Sequence, residues 1–282
     1  MKILLYGNCQ LWGIKETLFS LNAHYESEYI DCYDQDYDKE YMNEHYKRAN
    51  VIITQPIQDN YRDKYYLSTK YIIEHFCETA KIIIVDSLHF NFYYCDLTYH
   101  FFEGIMLDIP EHYHYKFMID CYKNNITVND YIKNYVKNID LLSKEELEKK
   151  ANLSIIELEK RYEENTTKYK RKNVYFVYTG KYIKNNYKEK LLFYSLNHPT
   201  NYILRYISEK IVLILNLKNI KYRFYEIDNA KCIIYNCIQK VVNFNINNCE
   251  LKIIDRDSGT KKKNIEDICK LYYDTYDRIN FN

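Results

Sequence analysis

Glycine and proline are scarce: 5 and 3 in 282 residues. Each proline therefore marks a place where the chain needs a fixed φ. Pro56 stops a strand directly after Gln55, Pro199 holds the residue after His198, and Pro110 precedes His112-Tyr113-His114. A charge excess is also missing. Lysine and arginine number 40 against 39 acids, which leaves no global electrostatic case for nucleic acid. No apolar run approaches the roughly 18 residues of a membrane span; the best stretch, Ile207 to Leu217, is short and carries Glu209 and Lys210. Met1-Lys2 leads straight into a strand with no apolar leader, and the nine cysteines are odd in number and scattered. The expectation is a reducing, cytoplasmic setting with free thiols. No internal repeat or low-complexity tract is present. What is abundant is tyrosine, 34 residues, alongside many Asn, Lys and Ile. A coding bias toward A and T supplies those four residues, which argues against reading tyrosine clusters as stacking platforms.

Lys2 to Tyr6 is a short apolar run of the kind that forms a buried strand. Leu11, Ile14, Leu18 and Leu21 then recur at helical spacing. Glu28 to Tyr33 and Val51 to Thr54 read as second and third strands, Tyr65 to Cys77 as a helix, and Lys81 to Val85 as a fourth strand. Strands alternating with helices predict an α/β fold: a three-layer parallel sheet of the flavodoxin kind, with helices on both faces. Residues 1–217 form the expected main domain, with a helical insertion over about 100–172. Within the insertion, Ser143 and Glu146 make a capping box for a helix to Thr167. Val174 to Tyr178 is strand-like, and Pro199-Thr200 opens a helix to Leu217. The tail, 218–282, is expected to be a β-rich C-terminal extension of open role. Its runs are Lys221 to Ile227, Cys232 to Ile238, Lys240 to Ile246 and Leu251 to Ile254, with a last helix at Ile265 to Tyr276.

In parallel sheets ligands bind beyond the carboxyl ends of the strands. Three strand exits are expected to converge there: Gly7-Asn8-Cys9-Gln10, Thr54-Gln55-Pro56 and Val85-Asp86-Ser87-Leu88-His89. Gly7-Asn8 is turn chemistry that tolerates positive φ. Cys9 stands between strand and helix, where free N–H groups favour an anion and lower a thiol's pKa. Read alone, a small buried residue filling a tight turn is the favoured reading, since free cysteine is among the most buried residue types. Metal chemistry has little support. His112 and His114 are the one close histidine pair and lack a matching acid, and Cys232 and Cys237 would face opposite sides of a strand.

Four segments occur in a telling order: Gly7-Asn8-Cys9-Gln10; Gln55-Pro56-Ile57 with Asn60-Tyr61-Arg62; Asp86-Ser87-Leu88-His89-Phe90; and Leu192-Phe193 with Asn197-His198-Pro199. Together they resemble the WcbI-type polysaccharide biosynthesis family of acetyltransferases, distant relations of the SGNH or GDSL hydrolases. The likeness spans about residues 1–217. It implies coenzyme A binding and transfer of an acetyl group from acetyl-coenzyme A to a sugar or polysaccharide hydroxyl. Cys9 then takes the place of the nucleophile and His198 that of the base. The position three before His198 is Ser195 and not an acid, so a Cys9–His198 dyad replaces a triad. A thiol tolerates that loss better than a serine hydroxyl does. Asn8, Gln10 and Gln55 are expected to shape an oxyanion site. Arg62, with Tyr61 and His89, is expected to hold the cofactor, its guanidinium suiting phosphate. Asn60, Asp86 and Asn197 are expected at the acceptor. Plain readings stand beside these: Asn8 and Gln55 tie down loops, Arg62 is a surface cation, and His89 bonds to backbone. Two other functions compete. An SGNH-like esterase or deacetylase would release acetate from simple esters without coenzyme A affinity. A non-catalytic module would bind coenzyme A, with Cys9 reacting with thiol reagents no faster than the other eight cysteines.

Overall fold

The computed structural model describes residues 1–19, 25–33, 37–102, 104–218, 221–227, 230–279 and 281. In chain order the elements are β1 (Lys2–Gly7), α1 (Cys9–Phe19), β2 (Glu26–Asp31), α2 (Lys39–Arg48), β3 (Val51–Thr54), α3 (Thr69–Phe76) and β4 (Lys81–Val85). Short strands β5 (Leu97–Thr98), β6 (Phe101–Phe102), β7 (Ile105–Met106) and β8 (His114–Tyr115) precede α4 (Lys116–Lys123), α5 (Val128–Tyr131) and α6 (Lys144–Lys168). Then come β9 (Val174–Val177), α7 (Gly180–Asn186), α8 (Asn201–Leu215), β10 (Ile253–Ile254), β11 (Lys261–Lys262) and α9 (Ile265–Arg278). Leu21, expected on the first helix, lies outside the described residues.

Two compact units arise. One comprises Met1–Leu88, Ile156–Lys184 and Pro199–Ile227; the other comprises His89–Ile155, Asn185–His198 and Asp228–Asn282. The units do not follow a division at residue 217. The tail packs into the same unit as 89–155 and 185–198, because its apolar residues Ile233, Tyr235, Cys269 and Tyr272 are all buried.

The first unit is built on a five-stranded parallel sheet of order β2-β1-β3-β4-β9. Its inner strands are apolar on both faces because helices cover both. Leu4, Tyr6, Ile52, Ile82 and Ile84 form one core with Met42 and Tyr46 of α2 and Ile72 and Phe76 of α3. The alternate residues Ile3, Leu5, Ile53 and Ile83 are equally buried on the opposite face, where α1 packs on α8. Burying each such Ile or Leu contributes about 1.5–3 kcal/mol. Gly13 permits the α1–α8 approach: a Cβ there would lie 3.1 Å from Leu204 Cδ1 and 2.9 Å from Ile227 Cδ1. Side-chain caps set the helix starts. Asp38 accepts from the Tyr41 N–H at 2.7 Å and Ser68 from the Tyr71 N–H at 3.1 Å. The capping box of α6 forms as expected, Glu146 N–H to Ser143 Oγ at 3.1 Å and Ser143 N–H to Glu146 Oε2 at 2.8 Å.

The second unit uses tyrosine as a core residue. Rings of Phe90, Phe92, Tyr93, Tyr187 and Phe193 pack edge-on or stacked with centroids 5.1–5.9 Å apart. Buried hydroxyls find partners, as they must. Tyr93 donates to the Tyr187 carbonyl at 2.7 Å, Tyr94 to the Phe193 carbonyl at 2.9 Å, and Tyr235 to Asp96 Oδ2 at 2.6 Å. The tail carries less strand than its apolar runs suggest. It holds the β10–β11 pair, a bridge between Lys231 and Lys252, 3₁₀ turns at Asn236–Lys240 and Ile246–Asn248, and α9. Ile233, Tyr235, Cys237, Ile238 and Ile246 of those runs are buried without pairing as strands. Among the described residues no helix is long and apolar enough to cross a membrane.

Candidate functional site

The sheet order reverses between β1 and β3, the place where parallel sheets open a crevice. Three loops meet at this point, held by one buried carboxamide network. Gln10 Nε2 donates to the Leu88 carbonyl at 3.0 Å, and Gln10 Oε1 accepts from the Leu88 N–H at 3.0 Å and from Gln55 Nε2 at 2.9 Å. Gln55 Oε1 accepts from the Asn8 N–H at 3.0 Å, and Asn8 Oδ1 accepts from the Gln10 N–H at 2.9 Å. The expected convergence of the β1, β3 and β4 exits is therefore real, and glutamine side chains make it. Gly7 belongs to this network for a reason other than φ, which is not positive there. An added Cβ would sit 2.7 Å from Leu11 Cδ1 and 2.8 Å from Gln55 Oε1. Close approach requires the glycine.

Cys9 opens α1 and is partly exposed. The N–H groups of Cys9 and Gln10 face its sulfur and pull the thiol pKa down. Burial and the Asp31 carboxylate push harder the other way, and the thiol rises to about 11. The helix start thus does not make Cys9 a ready thiolate, contrary to the expectation from its position. Parallel pairing of β1 and β2 places Asp31 opposite Gly7, so the acid arrives through register, a signal that no local motif carries. Tyr29 donates to Asp31 Oδ2 at 3.0 Å and lines the same corner.

Other expected residues are placed as follows. Tyr61 donates to the Cys32 carbonyl at 3.0 Å, and Arg62 Nη2 donates to the Tyr33 carbonyl at 2.5 Å. Arg62 is exposed and holds a left-handed φ of 52°. Asn60 is exposed at the start of that turn. Asp86 is buried; its Oδ2 accepts from Thr179 N–H at 2.7 Å and Thr179 Oγ1 at 2.8 Å. These residues all lie in the first unit.

His198, Asn197 and His89 lie in the second. His89 is half-buried. The Tyr113 hydroxyl donates to Asn197 Oδ1 at 2.5 Å and stands 3.4 Å from His198 Nε2. Burial, then the neighbouring His112, lower the His198 pKa to about 4. Its Nδ1 is buried without a hydrogen-bond partner. No described carboxylate bonds to this ring; Ser195 points its hydroxyl toward Asn197 Oδ1 at 3.4 Å. His114 is a core residue bonded to Tyr276 Oη at 2.9 Å and the Leu107 carbonyl at 3.2 Å. Among the described residues no three His, Cys, Asp or Glu could share a metal ion.

These shifts set an acid response. His198 and His114 are each lowered to about 4 by burial, against about 6.5 in an unfolded chain. The unfolded chain binds more protons in that window, so stability falls as pH drops from about 6.5 toward about 4, by about 1.4 kcal/mol per unit of separation. His100 and His112 are lowered in the same sense. Asp86 and Asp96, raised to about 6 by burial, act oppositely: the folded state keeps protons that the unfolded chain releases. Melting temperature is expected to fall across this window, and to fall more steeply in Asp96→Asn, which loses the offset. Scanning fluorimetry against pH checks both; a flat or rising curve contradicts the assignment.

A model of the WcbI polysaccharide biosynthesis enzyme family matches residues 2–219. The chain belongs to the WcbI family. A solved structure of WcbI superposes on it with a TM-score of 0.81 at 18% identity, covering 98% of this chain and 90% of its own. At that identity the likeness shows the fold, an α/β sheet with the C-terminal region included. That WcbI structure is described as the native protein without a disulfide bond between coenzyme A and one of its cysteines. No curated protein matches the chain. Membership of the family makes this an enzyme of polysaccharide biosynthesis.

Proposed function

We propose that this WcbI-family enzyme is a coenzyme A-dependent O-acetyltransferase, moving acetyl from acetyl-coenzyme A to a sugar hydroxyl. The carrying observation is Cys9 at the first turn of α1, in a loop clamped by Gln10 and Gln55 at the switch point of the sheet. That WcbI structure is described by the lack of a disulfide bond between coenzyme A and one of its cysteines, and we assign Cys9 the place of that cysteine here. Since burial keeps Cys9 protonated at neutral pH, its attack on the thioester carbonyl must shed the proton as the bond forms. His198, neutral because burial lowers its pKa, is the base in this reading. The carbon–sulfur bond to coenzyme A then breaks, the cofactor leaves as its thiol, and the acetyl group rests on Cys9. His198 gives its proton to the departing coenzyme A sulfur and next takes the acceptor hydroxyl's proton as that oxygen attacks the acetyl carbon; the carbon–sulfur bond to Cys9 then breaks and the sulfur regains the proton from His198. In a direct route His198 activates the acceptor in a ternary complex and Cys9 shapes the site.

The oxyanion donors are narrowed by the bonds already made. The N–H of Asn8 is spent on Gln55 and that of Gln10 on Asn8, so Asn8, Gln10 and Gln55 act mainly by holding the loop. We assign the cofactor to Arg62, Tyr61 and His89, its phosphates to Arg62, and the acceptor to Asn60, Asp86 and Asn197. A ligand that binds only the folded protein raises its stability, by about 2.7 kcal/mol at a hundred times its Kd. Coenzyme A and acetyl-coenzyme A are each expected to raise the melting temperature by about 5 °C or more under that condition. No shift, with acetate released from simple esters, would replace this reading with an esterase.

A further inference from the structure

A concavity lies one strand along from Cys9, within the first unit. It is a cleft of about 420 Å³, inside the roughly 300–1,000 Å³ range of small-molecule sites. One wall is the exits of β3 and β4, with Pro56, Gln58 and Asp86; the other is one face of α6, with Leu158, Arg161, Asn165 and Lys168. Positions 158, 161, 165 and 168 recur at three and four residues, which is why they share that face.

Asp86 is 8% exposed and lines the cleft. Its Oδ2 takes both Thr179 donors, and its Oδ1 has no partner among the described residues. That oxygen is not a buried orphan but opens on the cleft, where it is the acceptor offered to a ligand's donor. Its cations are already committed. Arg161 Nε faces Glu157 Oε1 at 3.3 Å and its Nη1 donates to the Ser87 carbonyl at 3.3 Å, while Lys168 Nζ pairs with Asp59 Oδ1 at 3.0 Å. A phosphate would therefore meet Asp86 and Glu164 without a spare cation, and a metal ion would meet Arg161 and Lys168 without enough ligands. An uncharged polyol satisfies both restrictions: hydroxyls serve Asp86 and Asn165, and the ring's C–H face lies on Leu158 and Pro56.

We propose that this cleft binds a neutral sugar ring, with Asp86 accepting a ring hydroxyl and α6 as the opposing wall. As the acceptor's own subsite it rests on the acetyltransferase reading above; as a carbohydrate site it stands by itself. The test uses the full chain and the methyl glycosides of glucose, galactose and mannose, observed by saturation-transfer NMR, with inorganic phosphate and coenzyme A as comparison ligands. At least one glycoside is expected to bind, and both Asp86→Asn and Asn165→Trp are expected to weaken it tenfold or more. Asn165→Trp fills the cleft from a half-exposed helix position and does not depend on the Thr179 bonds, so it covers the case in which Asp86→Asn fails to fold. The coenzyme A melting shift should survive in Asn165→Trp. No glycoside binding, binding indifferent to both variants, or displacement of the glycoside by phosphate or coenzyme A would overturn the proposal. Glycoside binding without any coenzyme A shift would instead remove the acetyltransferase reading and leave the sugar site standing.

Discussion

Cys9→Ala is expected to lower acetyl transfer by about 10³-fold or more, the scale seen when a nucleophile is removed from a preorganised site. The variant should still show the coenzyme A melting shift, because the loop that presents the residue is held by Gln10 and Gln55 and not by the thiol. Intact-protein mass spectrometry after acetyl-coenzyme A should show one acetyl group on the native protein and none on Cys9→Ala. Full turnover by Cys9→Ala with bound coenzyme A would remove the covalent route. His198→Ala is expected to cost about 10²- to 10⁴-fold, as removal of a general base does; normal turnover would remove both routes. The thiol environment adds a pH signature. With the Cys9 pKa raised to about 11, its alkylation by iodoacetamide should climb about tenfold per pH unit between about pH 7 and about pH 10. Slow alkylation at neutral pH is thus the expected behaviour of an enzyme here, and acetyl capture is the informative reading.

Gln10→Ala should produce the largest loss of stability of any single change at the site. The side chain is 2% exposed and makes three bonds that join the exits of β1, β3 and β4. Truncation leaves the Leu88 N–H, the Leu88 carbonyl and the Gln55 amide buried and unpaired. Each such group costs about 1–3 kcal/mol, so a loss of about 3–5 kcal/mol is expected, with a melting temperature lower by about 10 °C. Because Gln55 loses the same bond, the double variant Gln10→Ala/Gln55→Ala should cost less than the sum of the single ones. Chemical denaturation of the four proteins measures the cycle. Additive losses below about 1 kcal/mol each would show that the clamp does not couple the loops.

Much of this was legible in the residues. Apolar runs at Lys2 to Tyr6, Val51 to Thr54, Lys81 to Val85 and Val174 to Tyr178 became the inner and edge strands because a strand covered on both faces must be apolar throughout. Ser143 and Glu146 formed their capping box because its bonds are local. The ordered set of Cys9, Gln55, Asp86 and His198 segments pointed to the family that the chain proved to belong to. The tail's strand character survives in the β10–β11 pair and the Lys231–Lys252 bridge, while Ile233, Tyr235 and Ile238 are buried outside any strand, since apolar runs suit a pleated surface and a loop-lined core equally well.

By itself, then, the sequence determined the order of strands and helices, the family, and which residues stand at the strand exits, since periodicity, capping and motif order act over a few neighbouring positions. Tertiary structure alone decided what those residues are. Pairing of β1 with β2 brought Asp31 to Cys9 and, with burial, raised the thiol's pKa instead of lowering it. Burial among distant segments left His198 neutral, turned glutamines into a clamp, and opened a cleft around an unpaired oxygen of Asp86. Dielectric environment and hydrogen-bond satisfaction depend on groups far apart in the chain, and local sequence carries no record of them.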